Sequence, residues 1–343
     1  MNKIIIISTL YILIISCVKL NPEPIVNGNN INLESKSLII CNEGGFQNGN
    51  ASISLYSKED NTVTNNLYHS INQSNIGDVL QSIAHINHEI YLVVNNSQKI
   101  IVIDDETFEY KTEINDFISP RNIILINSNQ AYVTDLYANK IYIVNINTKS
   151  ITNEIRVSGW CEEMILHNGK VYVANRTNNQ LYIINTSSNM IIDSIPTADN
   201  PSDIDIDNNN KIWILSKGSV SNNTNPAISI LDPIMDSIIY VETLNNLNGS
   251  PSNLSMNSDK SFAYFIQGDI IKTKTNYPLS FETIYENTGQ QFYGLGIDPY
   301  NQEIYVSDAI DYIQNGTIYR LDSLGNEIDV FNAGIIPNKF LFH

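Results

Sequence analysis

The chain has 343 residues, 42% of them hydrophobic and 16% charged, which fits two ordinary domains or one large all-β domain. With 36 acidic against 19 basic residues its net charge is −17. No basic stripe exists to neutralise phosphates, which argues against a nucleic-acid partner and against electrostatic adhesion to an anionic membrane. Ile, Val, Tyr, Thr and Asn are abundant, as in strands joined by polar turns.

The N-terminus reads as an export signal. Met1-Asn2-Lys3 precedes an apolar run from Ile4 to Ile15, and Ser16-Cys17 follows. A charged start, an apolar stretch of about 7–15 residues and a small residue before the cut define such signals. The run is too short for a spanning helix, which needs about 20 residues. Ile14-Ile15-Ser16-Cys17 resembles the bacterial lipoprotein lipobox, which implies a signal peptide over residues 1–16 and acylation of the Cys17 thiol. A plain signal peptide with a chance cysteine is the alternative. Residues 17–36, with Pro22, Pro24 and a run of Asn, are expected to form a disordered tether, and residues 37–343 the folded domain.

From residue 38 onward one strand pattern recurs. Leu38-Ile39-Ile40-Cys41-Asn42 comes first, then Ile90-Tyr91-Leu92-Val93-Val94-Asn95, Ala131-Tyr132-Val133-Thr134-Asp135 and Val171-Tyr172-Val173-Ala174-Asn175. Ile212-Trp213-Ile214-Leu215, Ala263-Tyr264-Phe265-Ile266 and Ile304-Tyr305-Val306-Ser307-Asp308 complete the set. From Ile39 through Tyr91, Tyr132, Tyr172, Trp213, Tyr264 and Tyr305 the spacings are 52, 41, 40, 41, 51 and 41 residues. A period near 40 built of short alternating strands predicts propeller blades.

Each unit reads alike. An apolar strand such as Asn122 to Ile126 precedes the landmark, and a third strand such as Lys140 to Val144 follows it. A polar fourth strand, such as Ile151 to Val157, ends the unit. The first strand is expected to be apolar because it is buried on both faces near the axis, and the fourth to alternate as an outer edge. The first landmark lacks a preceding strand of this kind. Ile336-Pro337-Asn338-Lys339-Phe340-Leu341-Phe342 matches Ser119-Pro120-Arg121-Asn122-Ile123-Ile124-Leu125 in pattern. The expectation is an all-β, seven-bladed β-propeller of four-stranded antiparallel blades. Its C-terminal strand completes the first blade, whose other strands come from residues 37 to about 70.

The Tyr-Val-Thr-Asp, Tyr-Val-Ala-Asn and Tyr-Val-Ser-Asp strands resemble the YVTN repeat of YncE-like propellers, across essentially the whole chain after the signal. A narrower likeness lies in Asn42-Glu43-Gly44-Gly45-Phe46, Gly77-Asp78-Val79-Leu80-Gln81-Ser82, Val94-Asn95-Asn96-Ser97-Gln98-Lys99-Ile100 and Ser119-Pro120-Arg121-Asn122. These are similar to Bacteroidetes surface-propeller lipoproteins, a group that includes BtuG-type cobalamin-capturing and related siderophore-capturing proteins. That resemblance implies a lipid-anchored outer-membrane protein at the cell surface, with a TonB-dependent receptor as partner. The repeat is specific for fold and weak for function.

One face of such a propeller gathers the starts of the inner strands and the loops between second and third strands. Its ligand-binding candidates are Glu43, Phe46, Gln81, Asn95, Arg121, Asp135, Tyr137, Trp160, Glu162, Arg176, Tyr293 and Asp308, with Asp203, Lys217 and Asn338 beside them. Two of the chain's four arginines fall there. Aromatics beside planar donors and amides suit a large, partly planar, polar small-molecule or nutrient ligand. Loops that are merely solvated, with Trp160 packed on a neighbouring blade, are the plainer alternative.

No catalytic residue, metal or cofactor is expected. His88 and His167 fall in turns after a first strand, on the opposite face. Asp104-Asp105-Glu106 reads as a strand-end turn, and Asp203, Asp205 and Asp207 as an inner strand running into its turn, with bound Ca²⁺ left open there. Cys41 and Cys161, on the first and fourth blades, lie beyond the roughly 7 Å reach of a disulfide and are expected as free, buried thiols. Asp193-Ser194-Ile195, Asp236-Ser237-Ile238 and Asp322-Ser323-Leu324 fit the short Asp-Ser/Thr-apolar pattern of Bacteroidetes O-glycosylation. The expected function is non-enzymatic capture of a corrinoid, siderophore or similar molecule by a monomer that meets the membrane only through its lipid. A scaffold for protein or glycan and a lactonase-type hydrolase are the alternatives.

Overall fold

The computed structural model describes residues 37–245 and 249–342; the expected signal peptide, Cys17 and the tether lie outside them. Seven four-stranded antiparallel sheets follow one another around a ring. Blade two shows the plan, with strands Leu80–Ile86, Glu89–Val94, Lys99–Asp104 and Tyr110–Ile114 in spatial order from the axis outward. Blades three to seven begin at the inner strands Pro120–Asn127, Cys161–His167, Pro201–Ile206, Ser252–Met256 and Phe292–Ile297.

Blade one is assembled from both ends of the chain. Pro337–Phe342 lies inside Ser37–Asn42, followed by Ser52–Ser57 and Thr62–Thr64. Leu38 pairs with Phe342, Ile39 with Leu341, Ile40 with Phe340 and Cys41 with Lys339. The closure expected from the repeat is therefore present, and it ties the ring's ends by backbone hydrogen bonds. The two long spacings have separate causes. The first holds a short helix, Leu67–Asn72, which the strand pattern does not predict and which buries Leu67 and Tyr68. The second holds an enlarged loop, residues 217–226, with a bridge between Ser219 and Thr224.

The core lies between blades. Tyr91, Val93, Ile100 and Val102 of blade two pack against Ile123, Ala131, Val133 and Tyr142 of blade three. Leu38, Ile40 and Tyr56 do the same with Tyr305 and Ile318 at the seam. Second and third strands are buried on both faces, as Gln130–Asp135 and Lys140–Asn145 show. The expectation that the first strand is the doubly buried one is corrected here. In Pro120–Asn127 only Pro120 and Ile123 are buried and the other positions are half-buried or exposed, because its open edge borders the axial channel.

The repeated tyrosine has a physical reason. Its ring is buried while its hydroxyl reaches the turn between third and fourth strands of the next blade. Tyr91 Oη accepts from Lys149 Nζ at 2.7 Å, Tyr132 donates to Asn189, and Tyr172 donates to Asp236 at 3.0 Å. At the seam Arg320 joins Glu303 at 2.8 Å to the Tyr56 hydroxyl at 3.0 Å. Cys41 and Cys161 are free and fully buried, and burial pushes the Cys161 thiol up to about 12.

Candidate ligand-binding site on the propeller axis

Every inner strand loses register near its start. The shifts fall between Leu80 and Ser82, Pro120 and Ile123, Cys161 and Met164, Pro201 and Asp203, Ser252 and Ser255, and Phe292 and Leu295. In blade one the break lies opposite Cys41 and Asn42, which face Lys339 and Pro337. A bulge leaves residues unpaired and re-aims their side chains. The first residue released at this step in each blade is Gln81, Arg121, Glu162, Ser202, Asn253, Tyr293 or Asn338, and all seven are polar. All seven line a single cavity of about 200 Å³ on the axis, together with Glu43, Arg176, Lys217 and Lys339.

Most charges in this cavity are paired. Arg121 Nε and Nη2 donate to Glu162 Oε1 at 3.0 and 2.6 Å, and its Nη1 donates to Gln81 Oε1. Lys339 Nζ donates to Glu163 at 2.9 Å. Asp203 accepts from the Ser202 hydroxyl at 2.5 Å and the Asn253 N–H at 3.1 Å. Glu43 accepts from Asn338 Nδ2 at 2.9 Å and the Tyr293 hydroxyl at 3.0 Å. Burial holds the Glu43 carboxyl above the ordinary range, against the pull of those two hydrogen bonds.

Two cations are less engaged. Arg176 donates from Nε to Asn200 Oδ1 at 2.7 Å, and its guanidinium sits 3.7 Å from the Trp160 ring centroid. Its Nη1 lies 3.8 Å from Glu162 Oε2. The Lys217 ammonium has no hydrogen bond or ion pair among the described residues, and burial lowers its pKa despite the opposing charge of Asp203. Three buried polar atoms here also have no hydrogen-bond partner among the described residues: Trp160 Nε1, Glu162 Oε2 and Asn338 Oδ1. A wider cavity of about 930 Å³ adjoins the axis, formed by the 217–226 loop and sharing Arg176 and Lys217.

The structure thus brings together Glu43, Gln81, Arg121, Glu162, Arg176 and Tyr293 from the sequence candidates, with Trp160 stacked on Arg176. Asn95, Asp135 and Asp308 sit elsewhere, at the ends of landmark strands. Asn95 Nδ2 donates to the Pro120 carbonyl at 2.9 Å. Asp135 accepts four backbone N–H groups, those of Ile118, Ser119, Tyr137 and Ala138. Asp308 accepts those of Gln291 and Ile310 at 2.8 Å. The closing Asn or Asp of the repeat therefore pins the neighbouring loops. Phe46 and Tyr137 are 66% and 69% exposed on loop tips and do not line the cavity.

Sequence reasoning did not single out Ser202, Asn253 and Lys339 as candidates. Aligning the second residue of each inner strand would have found the first two. His167 ends its inner strand at the opposite end from the cavity, and His88 lies two residues beyond that end of its own. Asp205 accepts the Met256 N–H at 2.8 Å and Asp207 the Trp213 Nε1–H at 3.0 Å. Among the described residues no group of three His, Cys, Asp or Glu is placed to hold a metal ion.

Solved structures share the architecture. A quinonprotein alcohol dehydrogenase-like protein from Bacteroides thetaiotaomicron is 14% identical with a TM-score of 0.70, covering 90% of this chain and 78% of that one. A candidate 6-phosphogluconolactonase from Bacteroides uniformis is 10% identical, with a TM-score of 0.70 and coverage of 90% and 99%. Another from Bacteroides fragilis is 11% identical, with a TM-score of 0.67 and coverage of 89% and 98%. At such identities the likeness concerns the fold alone. No curated protein matches the sequence. Residues 36–336 match the domain of unknown function DUF5074, and the chain belongs to that family.

Proposed function

We propose that the protein captures a polar small molecule on the propeller axis without transforming it. One observation carries this reading: a bulge in every blade turns a polar side chain into the same cavity. Function in propellers resides in such sites and not in the fold. Capture is favoured over hydrolysis because the axial carboxylates are engaged by Arg121, Lys339, Ser202 and Asn338, and no histidine among the described residues lines the cavity. The lipobox-like Ser16-Cys17 and the likeness to surface propellers support a lipid-anchored protein that hands its ligand to a TonB-dependent transporter.

Size limits what enters. About 200 Å³ is below the roughly 300–1,000 Å³ of a pocket that encloses a drug-sized ligand. A corrinoid or siderophore would therefore lie across the mouth and the adjoining 930 Å³ cavity, with only a small polar group in the axis.

The test is a thermal-shift screen against corrinoids, siderophores, haem and glycans, followed by titration of variants. Truncating an anchoring arginine or aromatic typically costs about 2 kcal/mol, so Arg121→Ala and Trp160→Ala should each weaken binding by roughly 30-fold. His167→Ala, at the far end of its strand, should bind like the parent. Circular dichroism melts separate lost contacts from lost folding. Folded Arg121 and Trp160 variants that bind normally, beside a His167 variant that does not, would place function on the other face.

A further inference from the structure

We propose that the axial cavity takes a small hydroxylated anion, its acid group held by Arg176 and Lys217 and its hydroxyls by Glu162 and Asn338. The assignment rests on the capture reading and names the chemistry of the captured molecule.

The two acceptors are unusual. Glu162 and Asn338 are 7% and 4% exposed, yet one oxygen of each has no hydrogen-bond partner among the described residues. A buried acceptor left unmade is costly, so a ligand bringing O–H donors is favoured there. The Asn338 amide cannot simply be turned round. Its Nδ2 donates to Glu43 Oε1 at 2.9 Å and to the Gln81 carbonyl at 3.0 Å, and a flip would set oxygen against oxygen. Oδ1 is therefore the atom left for the ligand.

The cations show the complementary need. Arg121 and Lys339 are neutralised by Glu162 and Glu163. The Lys217 ammonium has no hydrogen-bond or ion-pair partner among the described residues, and the Arg176 Nη groups make no hydrogen bond there, with Glu162 Oε2 at 3.8 Å from Nη1. Stacking on Trp160 fixes the plane of that guanidinium. A fixed guanidinium beside a free ammonium suits a carboxylate or phosphate. Both side chains border the axial and the outer cavity, so an acid group at their junction leaves the rest of the molecule in the axis.

Each simpler ligand leaves something unmade. A neutral polyol leaves the Lys217 ammonium and the Arg176 Nη groups without an anionic hydrogen-bond acceptor. A plain dicarboxylate brings no donor for Glu162 and Asn338, and its second charge would face Glu162. An amino acid brings a charged donor to Glu162, whose charge Arg121 already matches, and a dicarboxylic one sets a second carboxylate against it.

The experiment is isothermal titration of the full chain with five probes. Gluconate and glucose 6-phosphate are hydroxylated anions, glucose lacks the charge, adipate lacks the hydroxyls and glutamate carries an amine. The first two should bind, with the other three at least about 10-fold weaker. Lys217→Met should weaken gluconate by about 10- to 100-fold, the worth of a hydrogen bond to a charged group, and leave glucose unchanged. Adipate or glutamate binding as tightly as gluconate, glucose binding more tightly, absence of heat from both hydroxylated anions, or an unaffected Lys217 variant each overturns the assignment. Should a corrinoid or siderophore still bind in an Arg121-dependent way, capture survives and only this ligand class fails. Binding of every probe that ignores both Arg121→Ala and Trp160→Ala would remove the capture reading as well.

Discussion

The seam that closes the ring is tight because glycines border it, and Gly294→Ala probes that directly. Gly294 lies in the inner strand of blade seven, beside the closing strand. A Cβ there would stand 2.5 Å from the Asn338 carbonyl oxygen, 2.8 Å from its carbon and 2.9 Å from Ser307 Oγ. Favourable carbon contacts need about 3.5–4.0 Å. Backbone cannot swing aside as a side chain would, so the closing strand must move. That motion strains two short hydrogen bonds, from the Gly294 N–H to Ser307 Oγ at 2.7 Å and from Ser307 to the Pro337 carbonyl at 2.5 Å. Overpacking costs about 1–3 kcal/mol, and a backbone neighbour puts this case in the upper half. At about 2–4 °C per kcal/mol, a loss of about 2 kcal/mol lowers Tm by roughly 4–8 °C, nearer the lower figure for so large a domain. Gly45→Ala is the matched control, since its Cβ would meet only the flexible amide end of Asn48. Circular dichroism melts of the parent and both variants are the assay. Gly294→Ala melting together with the parent, or no lower than Gly45→Ala, would refute the tight seam.

Three further outcomes are expected. Deleting residues 336–343 removes the inner strand of blade one and should leave aggregated or unfolded protein, so cooperative unfolding at the parent's midpoint would contradict closure. Cys41 and Cys161 are fully buried, so iodoacetamide at pH 8 should label neither in folded protein and both in guanidinium; rapid labelling of the native state would show that the blades open locally. Cys17→Ser should abolish incorporation of radiolabelled palmitate and leave the chain unanchored, and equal labelling of the variant would show that the lipobox reading is mistaken.

How much of this was legible in the residues depends on whether a signal is local. The landmark strands repeat a burial pattern within each blade, so spacing alone yields seven units and locates the C-terminal strand that completes the first. The helix Leu67–Asn72 escaped notice because it occurs in one blade only, as an excess in one spacing. The burial of the inner strand was misjudged for a different reason. An apolar run such as Asn122 to Ile126 looks alike whether its neighbours cover it on both sides or leave one edge on a channel.

The site divides along the same line. Composition and motif placed Arg121, Trp160, Glu162, Arg176 and Tyr293 on one face, since loop positions follow from strand order. Asn95, Asp135 and Asp308 occupy equivalent loop ends and carry the same polar character, yet their side chains bind backbone N–H and carbonyl groups instead of facing the axis. Only the tertiary structure separates the two groups, because a bulge shifts side-chain direction without a signature in residue type. Glu43 and Asn338 make the point most plainly. They lie 295 residues apart and meet at 2.9 Å because the last strand closes the first blade. The sequence by itself determined the number of blades and the face, through a local period of polar and apolar residues. Ring closure and the curvature of the axis decided which polar groups converge and which are left without partners, because those distances are set by contacts between blades and by no single one of them.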